Sequence, residues 1–400
     1  MNAPTRNSLL TLNAGSATLK FAVFSTDFGL RKVWSGLFER KPAGDLTLEV
    51  VDAHSGEKSR EVLRADTPTE VLAHLSDRLD AAGLLAGIGC IGHRIVHGGS
   101  LQRHVICDAG ILEQLKRTEI LAPEHLPRER EYLEGAIERF PGMPQVLCFD
   151  TVFHARLPDV ARTLALPRRY ETRGVRRYGF HGLSYEYLLS KLREIDEASA
   201  RGRVILAHLG SGASMAALRD GCSVDTTMGF TPSGGLIMGT RSGDLDPGVA
   251  AYLAAVESVS ATEFSRITSH ESGMLGISGI SADARVLLER EDSHPEAALA
   301  LRAFVHHARK SIGALAAVLG GVDVLVFAGG IGEHSPELRR RICDGLEFLG
   351  IRIDPARNAA GDPLISAENA SATVRVIPTD EEQSIARIAS QLTNPILLPS

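Results

Sequence analysis

Asn13-Ala14-Gly15-Ser16-Ala17-Thr18-Leu19-Lys20 sets an amide, two hydroxyls, a glycine and an ammonium in one tight turn between apolar runs. Residues 9–12 and 19–24 predict strands on either side. Gly15 can therefore take backbone angles closed to other residues, and the N–H groups of the turn can face an anion. A polar hairpin turn would have a similar composition. A Walker loop is excluded, because the chain contains no Gly-Lys dipeptide.

The turn has an echo. Leu12-Asn13-Ala14-Gly15-Ser16 returns loosely as His208-Leu209-Gly210-Ser211-Gly212, about half the chain later, again between a strand-like run and an apolar run at residues 215–218. A duplicated α/β domain, with the two turns facing each other across a cleft and gripping one polyphosphate, accounts for the repetition; chance similarity between two glycine-serine turns is the plain alternative.

At 400 residues the chain exceeds one ordinary core, so two domains are expected. Its 44% hydrophobic and 23% charged residues are those of a soluble globular protein, and a net charge of −6 argues against nucleic acid as a partner. Five scattered cysteines without a C-x-x-C pair indicate neither a disulfide framework nor a zinc cluster, which fits a reducing cytoplasm. No secretory leader pattern opens the sequence. Residues 311–332 are apolar enough to suggest a membrane span, but Gly320-Gly321 and Asp323 divide them into a helix end and a buried strand.

Helix and strand signals alternate. Thr67-Pro68-Thr69-Glu70 has the form of a capping box, after which Val71, Leu72, Leu75 and Leu79 share one helical face and Gly83 stops the helix. Residues 297–319 predict a long helix, residues 322–327 a buried strand, and Ser335-Pro336 starts a helix expected to run towards Gly350. Glycine-rich turns are expected at residues 208–212, 238–244, 273–279 and 328–333. The last follows a strand and precedes a helix, the place where an α/β sheet holds a nucleotide. A literal G-x-G-x-x-G at Gly87, Gly89 and Gly92 is not a dinucleotide fingerprint, since a β-branched run follows it where a helix should.

Several polar residues stand where the pattern calls for apolar ones. Arg94 lies in Gly92-His93-Arg94-Ile95-Val96-His97-Gly98-Gly99 and Arg241 in Met238-Gly239-Thr240-Arg241-Ser242-Gly243-Asp244. A guanidinium among apolar and glycine residues requires an anion, either a ligand or an internal carboxylate. His93 and His97, on a strand, would lie roughly 13 Å apart, too far to share a metal. Asp150 ends a strand in Phe149-Asp150-Thr151-Val152-Phe153-His154, and His181 sits between glycines in Tyr178-Gly179-Phe180-His181-Gly182. The acids of Thr379-Asp380-Glu381-Glu382 could cap a helix or hold Mg²⁺ through water.

These motifs, with Gly330-Ile331-Gly332-Glu333 and Ser272-Gly273-Met274-Leu275-Gly276-Ile277-Ser278-Gly279, occur in the order found in the acetate kinases, and from Asn13 to Glu382 the chain resembles that family. The resemblance implies the superfamily of acetate and sugar kinases, heat-shock chaperones and actin: two duplicated ribonuclease-H-like α/β domains with a central cleft. It implies an N-terminal domain of residues 1–150 plus 382–400 and a nucleotide-binding domain of residues 151–381. The implied reaction is reversible, Mg-ATP-dependent phosphorylation of acetate to acetyl phosphate by direct in-line transfer, in a cytoplasmic homodimer with neither nucleic-acid nor membrane partners.

Carried over by motif, Arg94 and Arg241 meet the acyl and phosphoryl groups, His181 the phosphoryl transition state, and Asp150 lies beside them. Asn13 and Glu381 match the Mg²⁺-associated positions; Ser16, Thr18 and Lys20 match the phosphate turn. The ATP/ADP positions match His208, Leu209, Gly210, Ser211, Gly212, Asp283, Ala284, Arg285, Gly330, Ile331, Gly332, Glu333 and His334. Val96, His125, Phe180 and Pro232 match the acid-binding pocket. The chain departs from the family pattern at Ala17, Ser211, Gly234 and His334, and Glu124 replaces a leucine expected to line the acyl pocket. A carboxylate there would disfavour a methyl group and a substrate anion unless it turns outward or pairs with an arginine. Rival readings are a propionate or butyrate kinase, and a nucleotide-switched binding protein of the same superfamily without transfer activity.

Overall fold

The computed structural model describes residues 6–15, 17–27, 29–41 and 44–393. They divide into two compact units: one reaches Val152 and resumes at Asp380, and the other is Phe153–Thr379.

The first unit carries an eight-stranded sheet. Its strands are β1 (Ser8–Ala14), β2 (Thr18–Ser25), β3 (Arg31–Arg40), β4 (Leu46–Asp52), β5 (Lys58–Leu63), β6 (Ile88–Ile95), β7 (Val105–Ile106) and β8 (Gln145–Phe149), in the order β5-β4-β3-β2-β1-β6-β8-β7. The opening turn is the tip of an antiparallel hairpin, with Leu12 opposite Phe21 and Ala14 opposite Leu19. β6 and β8 then run parallel to β1.

The second unit carries β9 (Val204–Leu209), β10 (Ala213–Arg219), β11 (Cys222–Thr226), β12 (Val324–Ala328) and β13 (Thr373–Val376), in the order β11-β10-β9-β12-β13. Here too a hairpin leads, with Ala213 opposite Leu209, and β12 and β13 are parallel to β9. Each sheet thus contains three antiparallel strands followed by two parallel ones, in the order third-second-first-fourth-fifth. The echo in the sequence is the same hairpin built twice.

Burial explains the sheets. β8 and β12 are buried throughout and read as continuous apolar runs, as central parallel strands should. On the first sheet Phe21 packs against Trp34 and Phe38, with ring centroids 5.2 and 5.6 Å apart. Helix Pro68–Ala81 covers that core with Val71, Leu72, Leu75 and Leu79, and its Thr67/Glu70 capping box is formed in both directions. Helix Glu381–Thr393 returns to the same unit and lies so close to β6 that a Cβ on Gly92 would stand 2.5 Å from Ile385 Cγ2. This close approach accounts for one glycine of the G-x-G-x-x-G string.

Two expectations change and a third holds. The helix begun at Ser335 spans Pro336–Cys343 and gives way to a separate 3₁₀ turn, Glu347–Leu349, rather than running to Gly350. The stretch 273–279 is mostly a short helix, Gly273–Ser278, capped by Gly279 at φ +65°, not an open turn. The apolar stretch around Gly320 is the end of helix Pro295–Leu319 followed by β12, and among the described residues no helix is long and apolar enough to cross a membrane.

Candidate active site

In the first unit, polar residues gather at the carboxyl ends of adjacent parallel strands, the edge at which α/β sheets bind ligands. Asn13 and Arg94 each follow by one position the paired residues Leu12 and His93 of β1 and β6. Asp150 continues β8, its N–H donating to Ile95 O at 3.0 Å. Arg94 is only 16% exposed, and its Nε and Nη2 donate to Asp150 Oδ2 at 3.2 and 2.7 Å. Burial alone would lower the guanidinium's pKa, but Asp150, Glu381 and Glu129 overcome it and raise the value above its ordinary level. The cation demanded by the sequence therefore has an internal carboxylate.

Asn13 Nδ2 donates to Glu381 Oε2 at 2.9 Å and to Glu382 Oε1 at 3.3 Å, joining β1 to the start of helix Glu381–Thr393. Lys32, paired with Asp380 at 2.6 Å, borders this acidic turn. Among the described residues no group of three or more His, Cys, Asp or Glu could hold a metal. An amide and one or two carboxylates nevertheless make the hard, oxygen-only, incomplete set that suits Mg²⁺, an ion that keeps waters and phosphate oxygens as its other ligands. The donor chemistry fits the implied ion.

Ser16 lies outside the described residues. Gly15 N donates to Thr18 O at 2.8 Å, closing the hairpin tip, and Lys20 is exposed on β2. Val96 is 2% exposed, and its N–H donates to Glu129 Oε2 at 2.9 Å. Glu124 is exposed, so its carboxylate is not enclosed among apolar side chains. His125 precedes helix Leu126–Arg139 without capping it.

The second unit assembles its own cluster. His181 sits at φ 59°, ψ 23°, a left-handed conformation uncommon for a side-chain-bearing residue, immediately before helix Gly182–Ile195. Its Nδ1 shares a 2.9 Å hydrogen bond with Ser214 Oγ, which is also bonded to the Tyr185 hydroxyl. The opposite nitrogen, Nε2, points at the β9–β10 turn: a Cβ on Gly212 would stand 3.2 Å from it and 3.6 Å from Arg241 Nη1. Glycine at 212 thus lets backbone, imidazole and guanidinium crowd one spot. Arg241 Nη1 also donates to Pro232 O at 3.1 Å, and Phe180, 1% exposed, adjoins His181 in the chain.

The His181 and His208 rings lie 4.4 Å apart. His208 Nδ1 bonds Ser184 Oγ at 2.8 Å, and Ser184 in turn bonds Thr379 Oγ1 at 2.8 Å. β12 brings the second glycine turn to the same edge, Ala328 pairing with His208, and a Cβ on Gly210 would lie 3.6 Å from Gly330 N. Gly330, Ile331, Gly332, Glu333 and His334 belong to the short helix Gly329–His334. Glu333 Oε1 accepts from Gly329 N at 2.8 Å and Thr379 N at 3.1 Å, so its carboxylate staples the turn. His334 is 77% exposed. Asp283 caps helix Ala284–Arg290 and pairs with the exposed Arg285 at 2.6 Å; that hydrogen-bonded partner holds its carboxyl below the ordinary value.

Four supporting groups were not evident from the sequence. His154 Nδ1 bonds Ser223 Oγ at 2.8 Å and Nε2 bonds Phe180 O at 3.2 Å, buttressing the loop that carries His181; burial lowers its pKa to about 4, so it is a neutral strut. Ser214 and Ser184 orient the two histidines. Arg339, 1% exposed, donates from Nη1 to Gly332 O and Glu333 O, both at 2.9 Å, and holds the end of the glycine turn.

The chain is similar to known proteins over nearly its whole length. The acetokinase family matches residues 8–387. The chain belongs to that family. An acetate kinase of Methylocella silvestris is 45% identical over 392 residues, covering 95% of this chain and 96% of that protein. A solved propionate kinase of Francisella tularensis superposes with TM-score 0.91 at 34% identity, covering 96% and 100% of the two chains. The acetate kinase of Porphyromonas gingivalis gives 0.87 at 34% identity, with 96% and 99% covered. The acetokinase fold, two α/β units of ribonuclease-H-like topology, is the one expected from the twin hairpins.

Proposed function

We propose that this acetokinase-family protein transfers the γ-phosphoryl group of ATP reversibly to acetate, giving acetyl phosphate and ADP. The observation that carries the reading is the crowding of His181 Nε2 and Arg241 Nη1 against Gly212 at the tip of the second hairpin, within a chain matched to the family over residues 8–387. Two cationic or hydrogen-bonding groups aimed at one glycine turn are what a transferring phosphoryl group needs.

A carboxylate nucleophile is already ionised at neutral pH, so no strong general base is required. A carboxylate oxygen attacks the γ-phosphorus, the bond to the β–γ bridging oxygen breaks, and ADP leaves with that electron pair. The protein's task is to offset repulsion between two anions and hold them in line. Arg241 and His181 Nε2 spread the charge of the phosphoryl group, and Gly212 and the turn at Gly330 bring backbone N–H groups to the nucleotide phosphates, while the Gly210 N–H closes the hairpin onto Gly212 O at 3.0 Å. Arg94, oriented by Asp150, receives the acid carboxylate beside Val96, while Phe180 adjoins His181 in the chain and Pro232 O accepts from Arg241. Asp150 acts on Arg94 rather than on a proton, because its Oδ2 is already held by two guanidinium N–H groups. Asn13 and Glu381 would hold Mg²⁺, which neutralises phosphate charge when bound.

Propionate is the second substrate to test, on the likeness to the Francisella propionate kinase. Incubating the protein with Mg-ATP, hydroxylamine and two-, three- or four-carbon acids traps acyl phosphate as hydroxamate. Acetate is expected to give the highest kcat/KM. Absence of hydroxamate with every acid would overturn the kinase reading, and a higher value for propionate would reassign the acid.

A further inference from the structure

Glu129 takes no part in the family motifs, yet it is a second buried carboxylate beside Arg94, after Asp150. It lies on helix Leu126–Arg139 and is 3% exposed. One oxygen, Oε2, accepts from Val96 N at 2.9 Å. The other, Oε1, has no hydrogen-bond partner among the described residues and stands 3.9 Å from Arg94 Nη1. Asp150 Oδ2 already occupies Nε and Nη2 of the same guanidinium. Arg94 is therefore flanked by two buried acids, on the edge that would have to accept a third carboxylate from substrate. With both acids ionised, an incoming anion meets a net negative site at low dielectric.

We propose that Glu129 is a positioning residue that controls Arg94: it must carry a proton for Arg94 Nη1 to engage the acid substrate, so binding one acid anion draws one proton from solvent onto Glu129 Oε1. This rests on the reading of Arg94 as the acid-binding arginine. The balance is simple, because the substrate brings one negative charge and the proton removes one, while Oε2 keeps its bond from Val96.

The surroundings agree. Burial, opposed by Arg94 and the Val96 N–H and assisted by Asp150, raises the Glu129 pKa to about 7. From the neighbouring elements, β6 presents Arg94 and the end of β8 presents Asp150. Lys116 of helix Ala109–Thr118 reaches Glu134 at 3.6 Å, and Asp77 of helix Pro68–Ala81 reaches Arg139 at 3.3 Å. On the same helix Arg130 is held by Glu119 and Glu134, and Arg128 lies over Tyr132. Glu129 is thus governed by Arg94 and Asp150.

The test is the KM for acetate between pH 6 and 9 at saturating Mg-ATP, in wild type and Glu129→Gln. Acetate stays ionised throughout, so its own titration does not enter. Wild-type KM is expected to rise above neutrality, approaching tenfold per pH unit, while Glu129→Gln holds a low KM across the range with kcat within about threefold. Parallel pH profiles in the two proteins would overturn the proposal, as would a fall in kcat with the wild-type KM profile retained. Should the variant fail to fold, proton uptake on acetate binding to wild type, read by calorimetry at about pH 8.5 in two buffers of different ionisation enthalpy, replaces it: near one proton supports the proposal and zero overturns it. Failure of wild type to form acetyl hydroxamate would defeat the kinase reading itself; formation with a flat KM profile would defeat only the role of Glu129.

Discussion

Among single residues, Arg94, Asp150 and Glu129 show what the sequence can and cannot reveal. An arginine in an apolar strand announces an anion, and Asp150 at a strand end was a legible partner. Glu129 was hidden in Arg128-Glu129-Arg130-Glu131, which looks like a solvated helix face. A signal existed: Leu126, Glu129, Tyr132, Leu133 and Ala136 share one helical face and all are buried. Arg339 was concealed in the same way by Arg340 and Arg341. Glu129 also predicts a stability effect. Its folded-state pKa of about 7 lies above the ordinary 4.5, so between those values the folded protein binds more protons and its stability falls as pH rises. Glu129→Gln should therefore be more stable than wild type at pH 8, by about 3 kcal/mol, and lose most of that margin at pH 5. A melting difference independent of pH would contradict the burial argument.

At the scale of elements, local chemistry was read well where caps and periodicity coincide. Thr67 and Glu70 form the capping box foreseen, Glu70 Oε2 accepting from Asp66 N and Thr67 N at 2.6 and 3.1 Å. Thr67→Ala should cost about 1 kcal/mol of unit-one stability, measured by denaturant midpoint, and leave kcat unchanged. An unchanged midpoint would mean the cap adds nothing. Reading was poorer where glycines are dense. Gly273–Ser278 forms a helix because Met274 and Leu275 donate backbone N–H groups to Met238 O and Gly239 O, tertiary bonds that no local pattern announces. The helix begun at Ser335 ends early because Asp344 leaves helical geometry at ψ 124° and Gly345 follows at φ +81°.

For the whole molecule, the decisive clue was repetition rather than any single motif. Two hairpins, each followed by two parallel strands, place their turns at the carboxyl edge of each sheet. In the second unit Ser184, which holds His208, and Arg339, which holds the end of the Gly330 turn, come from distant segments and carry no spacing signal. If His181 and Arg241 stabilise the transferring phosphoryl group, their loss should appear in kcat rather than in nucleotide binding. The most direct measurement is hydroxamate formation from acetate by wild type, His181→Ala and Arg241→Ala, alongside ADP affinity. Each variant should lose at least about 100-fold in kcat while binding ADP within a few-fold of wild type. Near wild-type kcat in either one would contradict the account.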